Sequence, residues 1–182
     1  LLSRLDTFVR GLYENLDLNQ VAYKIANDGR ILLGCDRLAV VLRRGGKYHA
    51  IAVSGADHVH RRSESIRQPH TLGTGEPLWH TGRDLSAQDL LPQVRDALEK
   101  YLDESPSVAC AVVPLLPAPT PQRKSAPPSA VLVLEQYSAP FDPSVPELAP
   151  LVGEHARLAL NSAQQFASIP GHRLWLQLRK VG

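Results

Sequence analysis

The stretch that decides the fold is LAVVLRRGGKYHAIAV, residues 38–53. Two apolar segments flank Gly45 and Gly46, which is typical of a two-residue hairpin turn because a type I′ turn needs positive φ at both central residues. The turn sets the register of the predicted pairs, which are Arg44 with Lys47, Leu42 with His49, Val40 with Ile51 and Leu38 with Val53. The sequence therefore predicts an antiparallel hairpin.

Both faces of this hairpin are apolar. One face carries Leu38, Val40, Leu42, His49, Ile51 and Val53, and the other carries Ala39, Val41, Ala50, Ala52 and Tyr48. Strands buried on both sides belong in a layered arrangement of sheet and helices. We expect helices on the alanine-rich face, where they can approach closely. Since His49 faces Leu42, the hairpin is interpreted as the floor of a possible pocket.

Helices and further strands are predicted on both sides of the hairpin. An amphipathic helix covers residues 1–16, and a capping box at Asp17 and Gln20 begins a second helix that ends at Gly34. The core candidates of the second helix are Val21, Ala22, Ile25, Ile31 and Leu32. Later patterns predict a short edge strand at 76–81, a helix at 86–102, strands at 107–116 and 130–137, and a last helix at 142–167.

Composition limits the class of protein. The chain has 182 residues, 43% hydrophobic and 21% charged, with a formal net charge of +2. These values predict one globular domain over residues 1–168, followed by a tail or linker at 169–182. They favour neither a nucleic-acid partner nor membrane contact within the chain. Two cysteines indicate a cytoplasmic location, and the lack of an initiating Met indicates a module of a larger protein.

Several stretches together resemble GAF domains. LLGCDRLAVVLRRGGKYHAIAVSG (32–55) is similar to their first hairpin, and GTGEPLWHTG (73–82) is similar to the segment before their middle helix. The segments 108–116 and 130–160 resemble the late strand pair and the Phe-Asp entry into the last helix. The resemblance spans about residues 5–168. It implies an α/β (α+β) fold with a central antiparallel sheet of five or six strands and the terminal helices on one face. A loop and the middle helix would roof a pocket on the other face.

The resemblance also implies a role. GAF domains are mostly non-catalytic regulatory or sensory modules, here expected in a bacterial signalling protein. Such a module binds a small molecule, dimerises, or does both; the alternative is a ligand-free interaction module. A homodimer would use the terminal helices, at Leu5, Leu12, Leu16, His155 and Leu160. The motif of cyclic-GMP-binding members and the loop cysteine of bilin-attaching members are absent, so the ligand and any cofactor stay unknown.

The loop and short strand at 55–85 hold the candidate ligand-binding residues, which are Arg61, Arg62, Arg67, His70, Trp79 and His80. Arginine side chains and a tryptophan face suit an anionic or aromatic molecule. The alternative is an arginine-rich surface with Trp79 filling the core. His58 and His60 alternate, as two metal ligands on an extended segment would, but a third ligand at motif spacing is missing. We therefore predict no metal site there, although a haem ligand from the loop histidines stays open.

Cys35 and Cys110 raise one enzymatic alternative. Some GAF relatives reduce free methionine sulfoxide, which needs a nucleophilic thiolate and a nearby resolving cysteine. Cys35 lies at a strand entrance and Cys110 lies within a predicted buried strand. We expect both thiols to pack as small apolar groups and expect no enzymatic activity.

Overall fold

The computed structural model describes residues 2–14, 16–55, 77–82, 92–116 and 127–168. Its elements are α1 (Leu2–Leu12), α2 (Leu18–Leu33), β1 (Arg37–Arg44), β2 (Lys47–Val53), β3 (Leu78–Thr81), α3 (Pro92–Glu104), β4 (Ala109–Leu115), β5 (Ala130–Gln136) and α4 (Val145–Ala167). The described strands form one sheet in the order β2-β1-β5-β4-β3, and every neighbouring pair is antiparallel. The predicted antiparallel sheet is confirmed, with β3 at an edge as expected.

The ends of α2 follow the predicted signals. The side chain of Asp17 accepts hydrogen bonds from the backbone N–H groups of Asn19 and Gln20, both at 3.0 Å. These two groups have no partner within the helix, so the cap satisfies them. At the other end Gly34 has a φ of 62°. This left-handed conformation favours glycine and ends the helix before β1.

The hairpin keeps its predicted register only near the turn. Arg44 pairs with Lys47 and Leu42 with His49, as predicted. Between Val40 and Val41 the register shifts. Beyond this β-bulge, the partners are Val40 with Ala52 and Ala39 with Val53. The predicted pairs of Val40 with Ile51 and Leu38 with Val53 are therefore wrong by one residue, because Ile51 is the extra residue of the bulge.

The bulge also exchanges side chains between the two faces of the sheet. Ala52 joins Leu38, Val40 and Leu42 in the cluster beneath α1, α2 and α4, whereas Val53 joins Ala39 and Val41 in the cluster on the opposite side. We call the first side the helix face and the second the α3 face. The prediction that the closely approaching helices lie on the alanine-rich side of the hairpin is wrong: α1, α2 and α4 cover its leucine-rich side, and only Tyr101 of α3 packs against the alanine-rich side among the described residues.

Close approach on the helix face depends on small residues in the helices rather than in the sheet. Gly29 of α2 and Gly153 of α4 are buried there, together with helical alanines such as Ala26 and Ala156. A Cβ at Gly153 would lie 3.1 Å from the side chain of Leu115, closer than ordinary van der Waals contact. The helices therefore supply the space into which the larger strand side chains fit.

One predicted core residue of α2 lies at the surface of the helix. Ile31 was a predicted core residue of α2, but 66% of its surface is exposed, because the buried stripe of this helix runs through Val21, Ile25 and Leu33.

Among the described residues, no helix combines the length and apolar composition that crossing a membrane requires.

Candidate functional site

Four polar or titratable side chains form a row across the α3 face. The strand register pairs His80 of β3 with Cys110 of β4, Cys110 with Glu135 of β5, and Glu135 with Arg37 of β1. Directly opposite residues of an antiparallel pair lie on the same face. Leu78, two positions before His80, packs with Cys110 and with Tyr101 of α3. These four residues, which we call the polar row, therefore lie on the same side of the sheet as α3.

Glu135 is the best-bonded member of the polar row. Its Oε1 atom accepts hydrogen bonds from Tyr101 Oη at 2.5 Å, Ser107 Oγ at 2.7 Å and Ser105 Oγ at 2.9 Å. Its Oε2 atom accepts one from Arg37 Nη1 at 2.9 Å. Glu135 is only 1% exposed. A buried carboxylate is stable when it has this many partners.

The Glu135 cluster joins three parts of the molecule. Tyr101 belongs to α3, Ser105 and Ser107 belong to the connection from α3 to β4, and Arg37 belongs to β1. Burial and the neighbouring Glu135 carboxylate raise the pKa of Tyr101, so its hydroxyl stays protonated and donates to Glu135. The cluster therefore attaches the end of α3 to the middle of the sheet.

Beside the polar row, the α3 face is apolar. The next register row contains Leu78, Val112, Val133, Ala39 and Val53. Val131 and Val41 pair in the row after that and are fully buried. Tyr48 lies at the same end of the hairpin, and its hydroxyl donates to the backbone carbonyl of Pro128 at 3.0 Å. The face therefore offers an apolar floor with polar groups along one side.

His80 lacks the hydrogen bonds that Glu135 and Arg37 of the polar row form. Its side chain is only 2% exposed, and among the described residues neither ring nitrogen has a hydrogen-bond partner. Leaving a buried polar group without a partner costs about 1–3 kcal/mol. Native proteins contain few such groups, and each calls for an explanation, such as a bound water, ion or ligand. We therefore take the surroundings of His80 as the candidate site.

The structure separates two predicted ligand-binding residues that are neighbours in sequence. Trp79 lies on the helix face, where its ring meets that of Phe141 edge to face with centroids 5.5 Å apart. His80 lies on the α3 face. These two side chains therefore do not line one pocket. The other predicted ligand-binding residues, Arg61, Arg62, Arg67 and His70, lie outside the described residues, as do His58 and His60.

The residues expected at a dimer interface differ in exposure. Leu12 and Leu160 are 1% and 2% exposed and belong to the core of the helix face. Leu5, Leu16 and His155 are half-buried. A contact between two copies would therefore find little surface on Leu12 or Leu160, while Leu151 and Leu158 of α4 are 54% and 39% exposed.

The two cysteines lie in different clusters. Cys35 belongs to the cluster of the helix face and Cys110 to a cluster beside α3, so the sheet separates their thiols. Burial raises the pKa of each thiol to about 12, which keeps both protonated near neutral pH. A reductase needs a thiolate and a second thiol within bonding distance. The arrangement favours packing roles over thiol reduction.

Sequence reasoning missed Glu135. The available signal was an acidic residue within AVLVLEQ, an otherwise apolar run, because a buried acidic side chain needs several partners.

No group of three potential metal-ligating side chains is found among the described residues.

Comparisons with known proteins concern most of the chain. The sequence model of the GAF domain family matches residues 17–160. No curated protein matches. The GAF domain of a phosphoenolpyruvate-protein phosphotransferase from Coxiella burnetii is 15% identical with a TM-score of 0.65, and the alignment covers 92% of this chain and 96% of that one.

Two other solved structures are a far-red absorbing state of JSC1_58120g3 and a bacteriophytochrome. JSC1_58120g3 with bound biliverdin is 19% identical with a TM-score of 0.57, over 88% of this chain and 99% of that one. The bacteriophytochrome RpBphP3 from R. palustris is 11% identical with a TM-score of 0.63, over 90% of this chain. This chain spans 37% of the length of RpBphP3. At such identities the likeness is one of fold.

Proposed function

This chain belongs to the GAF domain family, and we propose that it is a regulatory module that senses a small ligand on the α3 face of its sheet. The observation that carries the proposal is His80, whose buried ring nitrogens have no hydrogen-bond partner among the described residues. A ligand that bonds to His80 would recover the free energy lost on burying it.

The contrast between His80 and Glu135 supports this position for the ligand. Every oxygen of the Glu135 carboxylate already accepts a hydrogen bond from the protein. Glu135 therefore needs no ligand and has a structural role. His80 lies two strands away in the same row, so its bonding capacity is available beside a rigid, satisfied cluster.

The Glu135 cluster supplies a route from ligand to conformation. It attaches α3 to the same face of the sheet that carries His80. A ligand between α3 and the sheet would favour one position of α3 over another, and a sensor requires such a difference in affinity between two states. The signal would pass to a neighbouring segment of a larger protein, with residues 1–168 as the sensing domain and 169–182 as the linker.

A ligand screen with matched variants tests the proposal. The chain is screened by thermal shift against nucleotides, amino acids, tetrapyrroles and metal ions, in parallel with His80→Phe and His49→Phe. His49 is exposed, so His49→Phe is the control. We expect at least one compound to raise the melting temperature of the wild type and of His49→Phe but not of His80→Phe. A flat screen, or a stabilisation that His80→Phe retains, contradicts a ligand at His80.

A second candidate function is dimerisation through α4. Leu151 and Leu158 are exposed, and their spacing of seven positions places them on the same side of the helix. Paired α4 helices would bury this stripe. Sedimentation of the isolated chain should show a concentration-dependent dimer that Leu158→Lys weakens and that the control Asn19→Lys, at an exposed position of α2, does not. A monomer at all concentrations contradicts this function.

A further inference from the structure

We propose that the ligand of this site is Cu(I), held between the imidazole of His80 and the thiolate of Cys110. The inference rests on the proposed function, because it names the ligand for the same histidine. Cu(I) differs from the biliverdin that is bound in the neighbour JSC1_58120g3.

The two donor atoms belong to side chains that face each other across the ladder. His80 of β3 pairs directly with Cys110 of β4. Side chains that lie opposite each other in an antiparallel pair have Cβ atoms about 4.5–5.5 Å apart. An imidazole nitrogen and a sulfur atom on such a pair can bind one metal ion from two sides. Both side chains are buried, His80 at 2% and Cys110 at 1% exposure.

The number and kind of donors favour Cu(I). Structural Zn²⁺ sites in proteins have four ligands. The described residues contain no group of three potential ligands, and the oxygens of Glu135 already accept four hydrogen bonds. Cu(I) is stable with two ligands and prefers soft sulfur donors. The apolar neighbours Leu78, Leu98 and Leu102 disfavour Cu(II), which requires more nitrogen and oxygen ligands.

The charge of the site is the same before and after binding. Cu⁺ binds the imidazole nitrogen lone pair and the sulfur, the Cys110 S–H bond breaks, and the proton leaves to solvent. No electron is transferred. The product is a thiolate–Cu(I)–imidazole unit that carries no net charge. Because no net charge is added, burying this unit avoids the penalty for an unpaired charge in an apolar region.

The chain contains a matched control for each ligand. Cys35 is also buried, at 4% exposure, and burial raises its pKa to about 12 as it does for Cys110. It lies on the helix face before the start of β1, and no strand pairing among the described residues places a histidine opposite it. His49 lies on the exposed part of β2. Cys35→Ala and His49→Phe therefore remove a similar group from outside the site.

Anaerobic titration of the full 182-residue chain with Cu(I), in competition with bicinchoninate, tests the inference. We expect one equivalent to bind to the wild type, to Cys35→Ala and to His49→Phe, and none to bind to His80→Phe or Cys110→Ala. X-ray absorption should show one sulfur and one nitrogen ligand. Circular dichroism establishes that each variant is folded, and Cys110→Ser is the nearly isosteric replacement if Cys110→Ala unfolds.

The outcomes separate this inference from the proposed function. Loss of binding in Cys35→Ala, or retention in Cys110→Ser, overturns the His80–Cys110 site. If Cu(I) does not bind while another compound stabilises the chain through His80, the inference fails and the proposed function stands. If neither Cu(I) nor any screened compound acts through His80, both fail.

Discussion

Both faces of the sheet bury side chains, but the two faces are stabilised by different interactions. On the helix face, β1 and β5 present apolar side chains such as Leu38, Leu132 and Leu134 to three helices. On the α3 face, the same two strands present Arg37 and Glu135 beside valines. Leu134 and Glu135 are neighbours in the chain and are 0% and 1% exposed.

This difference shows that burial does not determine the chemical character of a position. Packing of apolar side chains stabilises the helix face. Hydrogen bonds attach α3 to the sheet on the other face, which leaves room for polar chemistry next to the apolar floor. The four predictions that follow test this contrast through the stability of each face.

The largest effect is expected at Glu135. Replacing it with Ala leaves Tyr101, Ser105 and Ser107 without their shared acceptor, so the free energy of unfolding should fall by about 3–5 kcal/mol. Glu154 is the control, since its side chain is 57% exposed and its ion pair with Arg157 should be worth less than about 1 kcal/mol. Urea denaturation measures both variants. Equal losses in Glu135→Ala and Glu154→Ala would mean that the cluster does not stabilise the α3 face.

Cavity formation on the helix face comes next. Leu132 is fully buried in the main core cluster, and Leu132→Ala should lower the free energy of unfolding by about 2–5 kcal/mol. Leu151→Ala removes the same atoms from a side chain that is 54% exposed, and its effect should stay within about 0.5 kcal/mol. A small loss at Leu132, measured in the same urea series, would show that the helix face is loosely packed.

Alkaline pH should lower the free energy of unfolding through Cys35, the buried thiol of the helix face. Burial raises the pKa of Cys35 from 9.0 to about 12, so above pH 9 the unfolded thiol loses its proton while the folded thiol keeps it. The stabilisation is complete below pH 9 and declines by about 1.4 kcal/mol per pH unit as the pH rises towards 12. Unfolding of Cys35→Ala, measured from pH 8 to 11, should show a shallower decline than the wild type. Parallel declines would contradict the raised pKa.

The smallest effect is expected at Tyr48, which joins β2 to the segment before β5 on the α3 face. Tyr48→Phe removes the hydrogen bond to the carbonyl of Pro128 and should lower the free energy of unfolding by about 1 kcal/mol. Tyr23 is 44% exposed, so Tyr23→Phe should change it by less than about 0.5 kcal/mol. Thermal unfolding of both variants gives the comparison. If Tyr48→Phe is as stable as the wild type, this hydrogen bond does not stabilise the α3 face.

The fold was predictable where local chemistry determines it. The glycine pair fixes the turn between β1 and β2, Asp17 and Gly34 fix the ends of α2, and Pro77 indicates an edge position for β3. Each signal acts within a few residues, so it needs no knowledge of the rest of the chain.

The remaining features depend on contacts between distant residues. No local signal indicates the bulge opposite Val40. Because the sequence prediction lacked this bulge, it assigned Ala52 and Val53 to the wrong faces of the sheet. The partners of Glu135 come from α3, the following connection and β1. His80 was a predicted site residue. That its buried ring nitrogens have no hydrogen-bond partner among the described residues is seen only in the folded structure.

The bulge in the first hairpin has a consequence for changes in chain length. Ile51 is the extra residue opposite the junction of Val40 and Val41. Deleting Ile51 would make Ala50 and Ala52 consecutive while each kept its present partner in β1. Deleting a regularly paired residue of the same strand would instead turn every later side chain to the opposite face. Natural variants whose β2 strand is one residue shorter should therefore have their gap at Ile51.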